Sequence, residues 1–250
     1  MIFVVGFVGL VVMLIFVRIH YPQLAVNSPY PPLPSDASAE RILPLVTETP
    51  TGNYVFQQVT PDGSPVTYDP CRPLHYVVNT TGMPRRGLEL VRDAIREISA
   101  ASGLAFIENG LSAEHLVQDR KPLQKERYGN QWAPVLVGWV DEVSNPLMTQ
   151  DIAGAAGSNI AEPDGPESRR YVTGQIELNR DWFALALTRP GGYALARAVV
   201  MHELGHLVGL DHVDDPGELM YESNSGMTEL GPGDRQGLAA VGAGRCWTDT

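Results

Sequence analysis

The sequence predicts an α+β domain that follows an apolar segment and a proline-rich linker. Between residues 74 and 243, short runs rich in β-branched and aromatic residues, which are typical of strands, alternate with longer runs of helical periodicity. Apolar residues make up 44% of the 250 residues, which is enough for a packed core. The start of the chain falls outside this pattern, because it is continuously apolar and then rich in proline.

The N-terminal segment predicts a contact with a membrane. Residues 1–17 carry no charged side chain, and as a helix they would rise about 26 Å, just short of a hydrocarbon core of about 30 Å. We interpret residues 1–20 as a signal anchor or an uncleaved signal segment that enters the membrane through residues 1–17. The alternative, a buried core helix, is disfavoured because a proline-rich stretch follows directly.

Residues 21–50 are predicted to be a semi-rigid linker, because five prolines lie between positions 22 and 34. An anchor with a spacer holds a domain away from a surface, so we expect an extracellular domain that is either anchored by a single span or secreted. Arg18 weakly favours the opposite orientation, since basic residues usually flank a span on its cytoplasmic side.

Residues 51–250 are predicted to form the domain. A turn signal, Pro61-Asp62-Gly63-Ser64, suggests a short hairpin over Asn53–Thr67. The helix predicted over Gly192–Leu210 is apolar nearly all round and should therefore be buried. The other predicted elements are strands over Leu74–Asn79, Leu104–Glu108, Pro134–Val140, Gly154–Ala161 (a short edge strand) and Tyr171–Leu178, and helices over Pro84–Ala101 and Gly231–Ala243.

Composition excludes several classes of protein. The chain has 29 acidic and 18 basic residues, for a net charge of −11, so we expect no nucleic-acid partner, because phosphate neutralisation needs clustered Lys and Arg. Two cysteines are too few for a disulfide-dense scaffold or a four-cysteine zinc site. A mean hydropathy of −0.09 excludes a protein with many membrane spans. The sequence does not indicate an oligomeric state.

The long helix carries the run H-E-x-x-H-x-x-G-x-x-H. His202 and His206 are four residues apart, so they lie on one helix face and can hold one ion. Gly209 can adopt a positive φ and end the helix, which lets His212 supply a third nitrogen. Three neutral imidazoles with one open position are typical of catalytic zinc. Glu203 can face the open position and take a proton from the bound water.

These residues resemble the motif of the metzincin zinc metallopeptidases, and within them the matrixin branch. Glu218-Leu219-Met220-Tyr221 resembles the Met-turn of that family, which implies that Met220 lies beneath the zinc site. The resemblance extends over roughly Asp69–Trp247. It implies a twisted mixed sheet packed on helices, with the active-site helix below an edge strand. It also implies a zinc-dependent endopeptidase that hydrolyses extracellular proteins or peptides by Glu-assisted attack of water.

The chain departs from the matrixin pattern in several places. Matrixins are usually held inactive by a cysteine in a removable pro-segment, but Cys71 lies too close to the first strand to act in this way. Cys71 and Cys246 lie at opposite ends of the domain, which predicts a disulfide between them rather than two free thiols. No histidine occurs between His115 and His202, so we expect no second, structural zinc. Glu222 occupies the position of the tyrosine ligand found in other metzincin branches.

Two further alternatives stay open. Calcium near Asp164-Gly165 is conceivable, although a solvated turn is the favoured interpretation. An extracellular zinc-containing binding module on the same fold, without proteolysis, is the competing function. Retention of Glu203 argues against that module, because a pure binding site does not need a carboxylate there. The isolated His20, His75 and His115 are predicted not to be ligands.

Overall fold

The computed structural model describes residues 29–49, 51–223 and 226–249. The anchor predicted over residues 1–20, with its membrane contact through residues 1–17, lies outside the described residues. Among the helices that are described, none is both long and apolar enough to span a bilayer. The chain divides into two compact units, Met1–Pro31 and Pro32–Thr250, and the second contains every element discussed below.

The secondary structure follows the predicted order closely. In chain order the elements are β1 (Val55–Phe56), β2 (Leu74–Asn79), α1 (Gly87–Ser102), β3 (Phe106–Ser112), α2 (Lys125–Tyr128), β4 (Val135–Val140), β5 (Gly154–Ala161), β6 (Arg170–Asn179), α3 (Arg180–Ala186), α4 (Gly192–Val208), β7 (Leu210–Asp211) and α5 (Pro232–Gly242).

Five strands form one mixed sheet with the order β3-β2-β4-β6-β5. Strands β3, β2, β4 and β6 run parallel to one another, whereas β5 is antiparallel to β6 and forms one edge of the sheet. Helices α1 and α4 pack on each other, and α4 also packs against β5 and β6. Ser158 of β5 donates a hydrogen bond of 2.7 Å to the carbonyl of Leu207 in α4. The predicted α+β fold, with the long helix beneath an edge strand, is confirmed.

The differences from the predicted elements have local causes. Helix α1 starts at Gly87 rather than Pro84, because Arg86 takes a left-handed conformation (φ 67°) at its N-cap. The turn at residues 60–64 forms, but only one bridge, Val59 to Pro65, closes it. The strand that precedes the turn, β1, pairs with β7 instead. The short helices α2 and α3 have no counterpart among the predicted elements.

A disulfide between Cys71 and Cys246 ties the entry of β2 to the residues after α5, as predicted. The adjacent Asp69 accepts a hydrogen bond from the backbone N–H of Trp247 at 3.1 Å. Part of the predicted linker also lies against this region, since Arg41 donates to the carbonyl of Gly242 at 2.8 Å. Closing a loop of this length stabilises a fold by up to about 5 kcal/mol on the chain-entropy model.

Candidate metal centre and catalytic cleft

Helix α4 presents the first two predicted ligands on one face. The Nε2 atoms of His202 and His206 lie 3.1 Å apart. The helix ends at Gly209, whose φ of 117° is a left-handed conformation that favours glycine, and whose N–H donates to the carbonyls of Gly205 and His206 at 3.1 Å. The chain then reverses into β7, as the sequence predicted for this glycine.

The reversal brings His212 back to the helix. Its Nε2 atom lies 3.1 Å from that of His202 and 3.0 Å from that of His206. Three nitrogens at such separations can share one ion with zinc–nitrogen bonds of about 2.0–2.1 Å. Among the described residues, one other group of His, Cys, Asp or Glu side chains is compact enough to hold a metal ion, and it consists of Asp69 and the two cysteines of the disulfide.

The second ring nitrogens show that the imidazoles suit a metal. His202 Nδ1 lies 2.7 Å from the carbonyl oxygen of Leu219, and His206 Nδ1 lies 2.9 Å from that of Leu210. A carbonyl can only accept, so each Nδ1 carries the proton and donates it. Each Nε2 therefore keeps a free lone pair directed at the centre of the cluster, which is the arrangement that a zinc ligand requires.

Burial keeps two of the imidazoles neutral. It lowers the pKa of His202 below its ordinary value, against a hydrogen bond to the Leu219 carbonyl that raises it. For His206, burial and the neighbouring imidazoles lower the pKa to about 4. Both side chains are therefore in the neutral, metal-binding form at pH 7.

Glu203 lies beside this cluster in an unusual environment. Its side chain is only 5% exposed, and it makes no hydrogen bond or salt bridge with any residue that the structure describes. Burial raises the pKa of its carboxyl group to about 8. Gly154, at the start of β5, provides the space for it, because a Cβ atom at that position would lie 2.7 Å from the Cγ atom of Glu203.

The three imidazoles and Glu203 line one open cleft of about 580 Å³. One wall is the beginning of the edge strand β5 with the residues before it. The other wall is the segment that follows His212, including Leu219 and Tyr221. The four residues predicted to bind metal or to act in catalysis are thus brought to a single site.

The methionine after the helix lies against it from the core side. Met220 is 3% exposed, and a Cβ atom at Gly205 would lie 2.5 Å from its sulfur. Glycine between the two helical histidines is therefore needed for the close approach of the methionine. The supporting role that the resemblance implies for Met220 stays a prediction.

Two buried carboxylates that the sequence analysis did not select hold the methionine segment in place. Glu218 accepts hydrogen bonds from the N–H groups of Gly233 and Asp234, at 2.8 and 2.9 Å. Asp234 in turn accepts from the N–H groups of Leu219 and Met220. The Leu219 carbonyl accepts a hydrogen bond from Nδ1 of His202. The hydrogen bonds of Glu218 and Asp234 therefore help to fix the orientation of His202, a predicted ligand. Asp234 lies at the third position of α5, where an acid is a sequence signal for capping the helix. Nothing in the sequence indicates that it also binds the N–H groups of Leu219 and Met220.

His75 and the Asp164-Gly165 turn do not line the cleft. His75 is on the far part of the sheet, where its ring contacts Asp36 at 2.7 Å and Asn109 at 2.9 Å. At the Asp164-Gly165 turn, the N–H of Asp164 donates to the hydroxyl of Ser168 at 2.9 Å. Gln57, which the sequence analysis did not select, lines the cleft with its amide 3.3 Å from Nδ1 of His206.

Comparison with known proteins gives two findings. The family model described as Matrixin matches residues 133–241. Among solved structures, the chain is similar to high choriolytic enzyme 1, a hatching-enzyme zinc protease from the medaka fish Oryzias latipes, at 14% identity and a TM-score of 0.25. That alignment covers 63% of this chain and spans half the length of the fish chain. Comparison with curated proteins gives no significant match. The matrixin match extends over the edge strand, the three histidines and the methionine segment, and this part of the chain is therefore matrixin-like.

Proposed function

We propose that the chain is a zinc-dependent endopeptidase. The observation that carries the proposal is the convergence of three neutral imidazoles on one point, beside a buried carboxylate that has no partner among the described residues. His202, His206 and His212 would hold the zinc through their Nε2 atoms. When bound, zinc polarises the scissile carbonyl and makes water a nucleophile near neutral pH.

Glu203 performs the proton transfers. Its carboxylate accepts a proton from the attacking water and later donates it to the nitrogen of the leaving amine. The absence of a competing hydrogen bond supports this role, because a carboxylate that is already paired would be a weaker base. Apolar residues that line the cleft, Ala198 and Val199 among them, lower the local dielectric and strengthen the electrostatic contacts there.

The substrate is proposed to be an extended peptide or protein segment. Among the described strands, β5 pairs with β6 alone, so its other side can form main-chain hydrogen bonds with an added strand. Leu195, Val199 and Met227 line the same cleft and offer an apolar pocket for one side chain. Leu219, Tyr221, Glu222 and Ser223 line the wall that we propose receives the residue after the cut.

We further propose that the domain works outside the cytoplasm, either attached through the N-terminal segment or secreted. The disulfide between Cys71 and Cys246 supports this placement, because such bonds persist mainly in oxidising compartments. The proposed organisation is an anchor or signal over residues 1–20, a linker over 21–50 and the metallopeptidase domain over 51–250.

Metal analysis combined with a peptide-library digest tests the function. The purified chain should contain about one zinc and cleave peptides in a manner that chelation abolishes, and His212→Ala should lose most of the metal, because two imidazoles alone bind weakly. His115→Ala, which removes an isolated histidine, is the matched control and should keep the metal. Full zinc in the His212→Ala protein would refute the third ligand. Zinc without any chelator-sensitive cleavage would instead favour the non-proteolytic binding module.

A further inference from the structure

The charge of the cleft is one-sided. Besides Glu203, three acidic residues line it, namely Asp151, Asp211 and Glu222, and no lysine or arginine does so among the described residues. Both walls come from long stretches that are free of basic residues, since neither residues 128–168 nor residues 198–234 contain a lysine or an arginine. The imbalance is therefore a property of both sides of the cleft.

The acids at the rim also lack neutralising partners. Asp151 and Glu222 are exposed, and neither takes part in a salt bridge within the described part of the chain. Other surface acids are paired, as Asp141 is with Arg180 at 2.8 Å and Glu229 with Arg197. Glu203 adds a second, independent observation, because this carboxylate is more than nine-tenths buried, faces the cleft and has no protein donor there.

We infer that the cleft selects cationic peptides, with lysine or arginine side chains close to the bond that is cut. This inference rests on the proposed peptidase function and specifies its class of substrate. The metal adds positive charge at the centre of the site, whereas Asp151 and Glu222 lie on the walls, where flanking side chains of an extended peptide pass. A cleft with one sign of charge and low-dielectric walls concentrates the field on such a ligand and raises both its affinity and its rate of association.

The size of the effect follows from exposed charge pairs. A single exposed charge pair changes the affinity by a factor of about two to five. A peptide with three lysines forms three favourable pairs where one with three glutamates forms three unfavourable ones, so their affinities should differ by at least about tenfold at low salt. The difference should shrink strongly in about 0.5 M salt, because exposed charges are screened over a few ångströms there.

The test uses the full-length, zinc-loaded protein and three peptides that share one apolar core. The flanking positions carry three lysines, three glutamines or three glutamates. We expect kcat/KM to fall in that order, with at least tenfold between the first and the last at low salt. Asp151→Asn combined with Glu222→Gln should reduce this ratio several-fold. Asp164→Asn combined with Glu167→Gln removes the same charge from an exposed turn that does not line the cleft, and should leave the ratio unchanged.

A binding measurement makes the result independent of turnover. In the Glu203→Gln protein, the dissociation constants of labelled lysine and glutamate peptides can be compared by fluorescence anisotropy. Equal cleavage of all three peptides would overturn the inference and leave the peptidase function standing. Absence of cleavage with a lysine-to-glutamate difference in binding would overturn the peptidase function and support the charge selection. A ratio that the control pair reduces as much as the cleft pair would also overturn the inference.

Discussion

Two glutamates in different regions of the molecule are buried to the same extent and behave in opposite ways. Glu114, in the loop that follows β3, and Glu203, in the cleft, are each 5% exposed. Glu114 accepts hydrogen bonds from Arg120 at 2.8 and 2.9 Å, from Tyr128 at 2.6 Å and from Gln124. Glu203 has no such donor among the described residues.

The pKa values separate accordingly. Burial alone would raise the pKa of Glu114, but the hydrogen bonds of Arg120, Tyr128 and Gln124 outweigh it and lower the pKa below the ordinary 4.5. Burial without compensation raises the pKa of Glu203 to about 8. The comparison teaches that donors, rather than depth, decide the charge of a buried acid. A buried acid that keeps its donors serves the fold, whereas one without them is available for chemistry.

The largest effect is expected from Glu203→Gln. Because the amide cannot accept a proton, kcat/KM should fall by about 10²–10⁴-fold, while zinc content stays close to that of the parent and the free energy of unfolding does not fall at neutral pH. Peptide cleavage, metal analysis and urea unfolding measure the three quantities. Glu167→Gln is the control for the loss of one exposed acid. Cleavage at the parental rate by the Glu203→Gln protein would remove this residue from the mechanism.

The second effect concerns the same substitution at the other glutamate. Glu114→Gln leaves Arg120, which is 6% exposed, without its anion, so the free energy of unfolding should fall by about 3–5 kcal/mol. The folded variant should keep its activity, since this pair lies outside the cleft. Replacing both partners by Gln and Met should cost less than the sum of the single changes. Additive losses in that double-mutant cycle would contradict a coupled ion pair.

The contrast also shows which features the sequence could predict. The proposed zinc ligands lie within eleven consecutive residues of one helix and the turn after it, so local spacing was sufficient to predict that His202, His206 and His212 come together. The strands β2 and β5 were predicted with correct bounds, because their apolar or small-residue runs are bounded by turn residues. Gly209 could be assigned because a helix end needs a positive φ at that position.

Contacts between distant segments could not be predicted. Asp234 reaches the N–H groups of Leu219 and Met220 across 14 or more positions, and no periodicity connects these residues. Arg120 and Glu114 lie in a polar stretch that resembles a solvated loop, yet their side chains are buried against the sheet. Gly154 carries no sequence signal for its role, which depends on the helix that passes beneath it. Burial of a polar group is set by the tertiary fold, so a single sequence gives no measure of it.

The pH dependence of stability should separate the two glutamates in the metal-free protein. Glu203 has a raised pKa in the fold, so its contribution is present below about pH 4.5 and is lost as the pH rises towards about 8. Glu114 has a lowered pKa, so its contribution is present above 4.5 and is lost as the pH falls through the folded value. Each group changes the slope by at most about 1.4 kcal/mol per pH unit.

Urea unfolding of the parent and of each Gln variant between pH 3.5 and 8.5 would measure these slopes, at roughly one-unit steps across the window of the two groups. Subtracting each variant from the parent isolates one glutamate, because His202 and His206 titrate in both proteins of a pair and their effects cancel. The difference for Glu203 should decline from acid to neutral pH, and that for Glu114 should decline from neutral to acid pH. Parallel differences would show that the two environments are not distinct.

The smallest effect is expected from removing one donor of Glu114. Tyr128→Phe deletes a hydrogen bond of 2.6 Å to the carboxylate and leaves the Arg120 pair in place. A hydrogen bond to a charged acceptor at a half-buried site contributes about 1.5 kcal/mol, so the free energy of unfolding should fall by about that amount and the pKa of Glu114 should rise towards its ordinary value.

Tyr54→Phe is the matched control, because the Tyr54 ring packs edge-on against Phe56 and its hydroxyl makes no hydrogen bond with a described residue. The control should change stability by less than about 0.5 kcal/mol. Equal losses in the two variants would mean that the ring, and not the donated hydrogen bond, accounts for the effect at Tyr128, and that Glu114 owes its low pKa to Arg120 and Gln124 alone.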